Sequence, residues 1–175
     1  MADGYKRFNN GILDKSEKLM NTIAERASFY RCNPQRFAED YLGLKLKLFQ
    51  QIILVMLFDC NSLMFLAARG LSKTYTTAVF CCIRAILFPG TQIVVASKTM
   101  KQAKEVLKKI TNELMPNSAN LRLEIDTVVI NSGDAHISFR NGSNIMVTTA
   151  TDTARGARCH ILINKIVWAY GNICL

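Results

Sequence analysis

Acidic residues are scarce in this chain of 175 residues, with 13 Asp and Glu against 22 Lys and Arg. The formal net charge is +9, the isoelectric point is near 9.4, and no Asp or Glu follows Asp152. Such an excess of positive charge favours a polyanionic partner, above all a nucleic acid. The alternative is a generic basic surface that serves solubility. Because no run of like charges stands out, any nucleic-acid surface must be assembled by folding.

The chain also lacks the cysteine and histidine patterns of a zinc site. Its six cysteines include no Cys-x-x-Cys pair and no spacing suited to zinc. Cys81 and Cys82 lie in an apolar stretch, and we expect both to be small core residues in a reducing cytosol. The two histidines, His136 and His160, stand in apolar, strand-like surroundings and are interpreted as structural rather than catalytic residues.

Long apolar runs are missing as well. The first seven residues include no apolar core of a signal peptide. The longest apolar run, residues 52–58, is far shorter than the ~20 residues that cross a bilayer. Half of all residues are nevertheless hydrophobic, which is enough for a real core. We therefore expect a folded domain, or part of one, that has no membrane partner.

The most informative stretch is residues 62–80. An apolar segment, predicted as a strand, precedes a turn of small residues, then Lys73 and Thr74, then an apolar helix. This is the order of a phosphate-binding P-loop, in which amides of the turn and of the helix N-terminus bind the β-phosphate. Lys73 would reach the β- and γ-phosphates, and the Thr74 hydroxyl would bind Mg²⁺.

The match to the P-loop pattern is incomplete. The pattern is Gly-x4-Gly-Lys-Ser/Thr, and Ala67 and Ser72 occupy the two glycine positions. Gly70 is the only glycine of the turn. Alanine and serine are small enough to let a phosphate approach. The alternative interpretation is a basic turn between a core strand and a core helix.

The hydrophobic spacing predicts an alternation of helices and strands. Helices are predicted over residues 14–30, 34–41, 46–59 and 99–115, the last ending at Pro116, and a further helix follows Lys73-Thr74 and is broken by Phe88-Pro89-Gly90. Strands are predicted over residues 92–96, 126–130, 135–139, 143–149 and 160–163. Asn141-Gly142 predicts a hairpin turn, because both residues tolerate positive φ. The series strand, P-loop, helix, strand, helix predicts an α/β fold with a central, mainly parallel sheet covered by helices.

A carboxylate is missing where P-loop hydrolysis requires one. In P-loop NTPases an acidic residue at the end of a neighbouring strand binds Mg²⁺, and a nearby side chain activates the attacking water. The predicted strand 160–163 occupies that place in the order, and Asn164 and Lys165 follow it. The sequence therefore predicts a chain that can bind a nucleotide but lacks the usual means to hydrolyse it.

Several blocks, taken in order, resemble the large subunit of tailed-phage terminases, the ATP-driven motors that package DNA. Residues 33–51 resemble the entry helices and the adenine-side glutamine motif of that family. Residues 67–74, Ala-Ala-Arg-Gly-Leu-Ser-Lys-Thr, resemble its variant P-loop, and residues 89–97 its next core strand. Residues 139–158 resemble the segment ahead of the Walker B strand. The likeness covers roughly residues 28–163.

The resemblance implies a P-loop NTPase fold of the RecA/ASCE type and roles for individual residues. Gln50 would contact adenine, Lys73 and Thr74 the phosphates and Mg²⁺, and Arg69 the γ-phosphate region. Arg155 could act as a finger on the nucleotide of a neighbouring subunit, or else belong to a solvated or DNA-contacting loop. The catalytic residues implied are Lys73, Arg69 and Arg155. The ATP-binding residues implied are Gln50, Ala68, Arg69, Gly70, Leu71, Ser72, Lys73, Thr74 and Tyr75.

The resemblance also implies the organisation and partners of the chain. Residues 1–60 would be an N-terminal helical segment, residues 61–164 a partial ATPase core, and residues 165–175 an out-of-family tail translated from an intron or a shifted frame. On this resemblance, the family's nuclease domain is expected to have no counterpart within residues 1–175. The partners implied are double-stranded DNA and, for the intact family, the portal, the small terminase subunit and a homo-oligomeric ring in the cytoplasm of the bacterial host.

Two other functions remain open at this point. A helicase-like nucleic-acid translocase shares the P-loop, an upstream glutamine and the basic charge. A non-catalytic nucleotide-binding module would keep the fold and lack hydrolysis.

Overall fold

The computed structural model describes residues 2–66, 68, 70–131, 133–149 and 159–165, and these form an α/β fold. The helices are α1 (Ala2–Cys32), α2 (Pro34–Asp40), α3 (Leu48–Asp59), α4 (Lys73–Leu87), α5 (Met100–Lys109), α6 (Met115–Asn117) and α7 (Ala119–Glu124). The strands are β1 (Gln92–Ser97), β2 (Ile125–Ile130), β3 (Ala135–Phe139), β4 (Asn144–Thr149) and β5 (Ile161–Lys165). The prediction of an α/β fold is confirmed.

The sheet is mixed, so the prediction of a mainly parallel sheet is wrong. The strand order is β2-β3-β4-β1-β5. Strand β1 pairs in parallel with β4 and β5, whereas β3 pairs antiparallel with β2 and β4. Two tight turns cause the difference, because a short turn returns the chain antiparallel and only a long crossover makes a parallel pair.

The turn between β3 and β4 confirms the predicted hairpin, but its two central residues do not both adopt positive φ. Only Gly142 has a positive φ, of 82°. The Asn141 side chain instead donates to the Ala85 and Ile86 carbonyls, at 2.7 and 3.2 Å. These carbonyls belong to the last turn of α4, where intrahelical partners run out. Asn141 thus ties the hairpin to the end of α4.

The apolar segment ahead of the turn is not a strand in the structure. Residues 63–66 have no regular secondary structure, and Met64 and Leu66 are 80% and 73% exposed. The prediction of a strand directly before the P-loop turn is therefore wrong for residues 63–66. A strand needs a partner edge to satisfy its backbone groups, and the edge of β5 lies across a cavity from this segment.

The main core lies between the sheet and helices α4 and α5. Val79, Cys81, Cys82 and Ile83 of α4 are fully buried, which confirms the two cysteines as core residues. The backbone amide of His160 donates to the Gln92 carbonyl at 2.9 Å, and its Nδ1 accepts from the Gln92 amide at 3.0 Å. His160 therefore has a structural role beside β1.

The helix predicted to end at Pro116 continues past it. After α5 the chain forms a π-helical turn, Ile110–Leu114, in which the Met115 amide bonds to the Ile110 carbonyl. Pro116 then lies in the first turn of α6, where an amide would lack an intrahelical partner anyway. Within the ranges described above, no helix is both long and apolar enough to span a membrane.

Candidate functional site

The turn before α4 has a backbone conformation that favours glycine. Ser72 has φ 49° and ψ 25°, in the left-handed region, and Gly70 has φ 86°. Ser72 is the one non-glycine residue with positive φ among the described residues. A residue with a side chain rarely adopts this region, because its Cβ crowds the next carbonyl. The chain therefore has a glycine-type backbone at the position where the P-loop pattern places its second glycine.

Lys73 is the first residue of α4 and folds back over this turn. Its ammonium donates a hydrogen bond to the Ala68 carbonyl, with 2.7 Å between Nζ and O. The first turn of α4 contains no acidic residue. Its first amides point away from the helix toward the turn and, with the helix dipole, favour an anion. At the start of α4 a lysine ammonium therefore lies beside the positive end of the dipole of a 15-residue helix.

A cavity of about 1170 Å³ opens beside this turn. Ala68, Lys73 and Thr74 are among the residues that line it. The rest of its lining comes from α3, α4, α5, β1, β5 and the segment between α3 and the turn. This volume exceeds that of an ordinary small-molecule pocket, which is roughly 300–1,000 Å³. The cavity is therefore large enough for a nucleotide beside Lys73.

The described part of the cavity wall carries no carboxylate. The described residues also include no group of three or more His, Cys, Asp or Glu side chains able to hold a metal ion. The Thr74 hydroxyl oxygen is a suitable ligand for Mg²⁺. Proteins usually hold Mg²⁺ with few protein ligands together with substrate phosphates. Thr74 therefore fits an ion that arrives with a nucleotide, and does not fit an ion held by protein alone.

Gln50, predicted to contact adenine, has a structural role in this conformation. It is 5% exposed, and its Oε1 accepts a hydrogen bond from the Lys47 amide at 2.8 Å, which caps α3. The neighbouring Gln51 donates to the Glu39 carboxylate and to the Leu46 carbonyl. Gln50 lines neither described cavity. An adenine contact would require its side chain to leave the cap, and it stays a prediction.

The other predicted residues are distributed around the turn. Leu71 and Ala68 line a second cavity of about 500 Å³ next to α3. Tyr75 packs against the core, where burial and, to a smaller extent, the charge of Glu113 raise the pKa of its phenol. Arg69 and Arg155 lie outside the described residues. The structure thus brings Ala68, Lys73 and Thr74 together at one cavity.

Arg84 is a cavity residue that the sequence reasoning missed. Its guanidinium lies 3.8 Å from the centroid of the Phe88 ring and 5.6 Å from that of Phe58. Burial, and then the nearby Arg31, lower the pKa of Arg84. Its Nε is buried and has no hydrogen-bond partner. One sequence feature could have identified it: Arg84 is the only charged residue in the run 74–88.

A scan against models of protein families and a search of curated proteins found no match for this chain. The turn before α4, the cavity and the charges around them are therefore the features that bear on its function.

Proposed function

We propose that this chain is the nucleotide-binding part of a DNA-packaging ATPase related to the large terminase subunit, and that it binds ATP with Mg²⁺ at the start of α4. The observation that carries the proposal is the left-handed backbone at Ser72 immediately before Lys73. Strained conformations of this kind are concentrated at ligand sites, where the surrounding fold holds them in place.

The triphosphate would bind at the turn that contains Gly70 and Ser72. Lys73 would exchange the Ala68 carbonyl for the β- and γ-phosphates, a stronger pairing because both partners are charged. The Thr74 hydroxyl would contribute one ligand to Mg²⁺ carried by the nucleotide. A bound Mg²⁺ would neutralise part of the phosphate charge.

We propose binding without hydrolysis by these 175 residues. The described cavity wall offers no carboxylate to align or activate water, which supports this view. Hydrolysis, translocation of double-stranded DNA and the contacts with portal, small subunit and neighbouring motor subunits would belong to a complete protein. The net charge of +9 is consistent with contacts to DNA phosphates.

Titration calorimetry with ATP and Mg²⁺ tests the proposal. Lys73→Ala should weaken ATP binding at least tenfold, because a charge-assisted contact to phosphate contributes roughly 1.5–3 kcal/mol. Lys108→Ala is the matched control, since Lys108 is an exposed lysine that lines neither cavity. Equal affinity of both variants and the unmodified chain would remove the phosphate site, and circular dichroism checks that each variant is folded.

A non-catalytic nucleotide-binding module is the second candidate, and the same lack of carboxylates favours it. Both candidates predict ATP binding without turnover in the isolated chain. They differ when a longer protein that contains these residues is assayed, because only the motor predicts DNA-stimulated ATP hydrolysis there. A helicase-like translocase would in addition unwind a duplex.

A further inference from the structure

The second cavity, of about 500 Å³, adjoins the turn before α4. Three residues of α3, two of the segment that follows α3, and Ala68 and Leu71 of the turn line it. Four of its lining residues, Ala68 among them, also line the larger cavity. The Ala68 carbonyl is the group that accepts the hydrogen bond from the Lys73 ammonium. The second cavity therefore lies directly beside the place where a triphosphate would bind.

Every described side chain that lines this second cavity is apolar. Phe49 of α3 and Phe65 contribute two aromatic rings. Ile52, Leu66 and Leu71 are exposed, although all three are large apolar residues. Exposed apolar side chains around a cleft are typical of ligand-binding grooves. A flat aromatic group suits this cavity, because it can cover these side chains without needing hydrogen bonds from them.

The two glutamines of α3 are held away from the second cavity. The Gln50 Oε1 accepts from the Lys47 amide at 2.8 Å, and Gln50 is buried. The Gln51 Nε2 donates to the Glu39 carboxylate at 2.8 Å and to the Leu46 carbonyl at 3.1 Å. Neither glutamine lines this cavity. The described lining thus presents no side-chain amide to the edge of a base.

This apolar lining determines how well two purine bases can be distinguished. Adenine carries an amino donor where guanine carries a carbonyl acceptor, and guanine has a further amino group. A protein separates them with donors and acceptors that the wrong base leaves unpaired. An apolar wall has no such groups and selects mainly by size and shape. Both purines have the same bicyclic ring, so this wall should accept either.

We propose that the second cavity holds the base of the nucleotide whose phosphates bind at Lys73, and that the site takes guanine and adenine nucleoside triphosphates with nearly equal affinity. This inference rests on the proposed phosphate site and adds its base selectivity. The phosphates supply charge-assisted contacts that both nucleotides share. The base adds stacking and apolar contact, which tolerate base identity because every base has a π-face.

Titration calorimetry of the full chain with three ligands, each with Mg²⁺, tests the proposal. The ligands are ATP, GTP and ribose 5-triphosphate, which carries the same phosphates without a base. The dissociation constants of ATP and GTP should agree within fivefold, and ribose triphosphate should bind more than fivefold more weakly than either. A larger difference between ATP and GTP overturns the proposal, and so does a smaller loss with ribose triphosphate.

A pair of phenylalanine variants tests where the base binds. Phe49 lines the second cavity and not the larger one. Phe49→Ala should weaken ATP and GTP at least fivefold and by the same factor, because it removes a ring that stacks on the base. It should leave ribose triphosphate binding unchanged, which also shows that the turn is still folded. The matched control is Phe29→Ala, since Phe29 is exposed on α1 and lines neither cavity. Equal weakening of all three ligands by Phe49→Ala contradicts the proposal.

Recognition of adenine by Gln50 would give a different result. A Gln50 side chain that left its cap to bind adenine would make ATP binding more than fivefold tighter than GTP binding, and Gln50→Ala would remove that preference. Both observations overturn the proposal but leave the phosphate site in place. Failure of all three ligands to bind removes the phosphate site, and with it the proposed function as well as this inference.

Discussion

The phenol of Tyr41 donates a hydrogen bond to the Glu124 carboxylate, with 2.5 Å between the two oxygens, although the two residues are 83 positions apart in sequence. Tyr41 follows α2, and Glu124 is the last residue of α7, directly before β2. The Asn120 side chain adds a second link by donating to the Tyr41 carbonyl at 2.6 Å. These bonds attach the N-terminal helices to the sheet.

Tyr41→Phe should lower the free energy of unfolding by about 1 kcal/mol near neutral pH, because it removes this hydrogen bond and leaves Glu124 without it. Burial, followed by the hydrogen bond and charge of Glu124, raises the pKa of Tyr41 to about 12. The pKa is thus higher folded than unfolded, so the contribution is complete below about pH 10 and is lost as the pH rises toward 12.

Urea unfolding across that pH range measures both effects. The difference between Tyr41→Phe and the unmodified chain should shrink between about pH 10 and 12. A difference that stays constant with pH would show that the phenol and Glu124 are not coupled.

Ser72→Gly should leave the free energy of unfolding unchanged or raise it by up to about 1 kcal/mol. Glycine removes the left-handed strain, and its greater freedom in the unfolded chain offsets part of that gain. Ser72→Val should lower it by about 1–2 kcal/mol, because a β-branched residue fits this region worst. Chemical denaturation measures both.

Ser118 is the matched control for Ser72, since each precedes a helix. Ser118 has an extended backbone, and its hydroxyl accepts a hydrogen bond from the Leu121 amide at 3.2 Å. Ser118→Ala should therefore cost about 1 kcal/mol, whereas Ser72→Ala, which removes no capping bond, should cost less than about 0.5 kcal/mol. Equal losses at the two positions would contradict this assignment.

Leu121 and Leu123 offer a test of the core within one short helix. Leu121 is fully buried, and Leu123 is 65% exposed. Leu121→Ala should lower the free energy of unfolding by about 2–5 kcal/mol through lost burial and a residual cavity. Leu123→Ala should change it by less than about 0.5 kcal/mol. Similar thermal midpoints for the two variants would mean that α7 is packed differently.

The cysteines should react in two classes. Cys32 and Cys60 are exposed, whereas Cys81 and Cys82 are completely buried. Burial raises the pKa of the Cys81 thiol to about 12 and that of Cys82 well above its usual value. Since the thiolate is the reactive form, a thiol reagent near pH 8 should label the exposed pair at once and the buried pair only after unfolding.

A background with the other cysteines, Cys159 and Cys174, changed to serine isolates these two classes. Two equivalents should react in the folded protein and four in urea. Rapid labelling of three or four in the folded state would contradict the buried position of α4.

Much of the fold could be predicted from local sequence patterns. Apolar spacing located α3, α4 and the five strands, Asn141-Gly142 located the hairpin, and the apolar run of α4 identified Cys81 and Cys82 as core residues. The same pattern located the turn before Lys73 as a candidate anion site. These features depend on residues a few positions apart, so a window of sequence contains their cause.

Tertiary structure alone decided the pairing of the strands and the use of several polar side chains. The mixed sheet, the unpaired residues 63–66 and the cap made by Gln50 depend on which distant segment lies alongside. Arg84 likewise became a cavity residue only when β5 and residues 63–66 were positioned opposite it. The physical reason is that hydrogen-bond partners and burial are set by packing between remote elements, whereas periodicity is set by the backbone of each element.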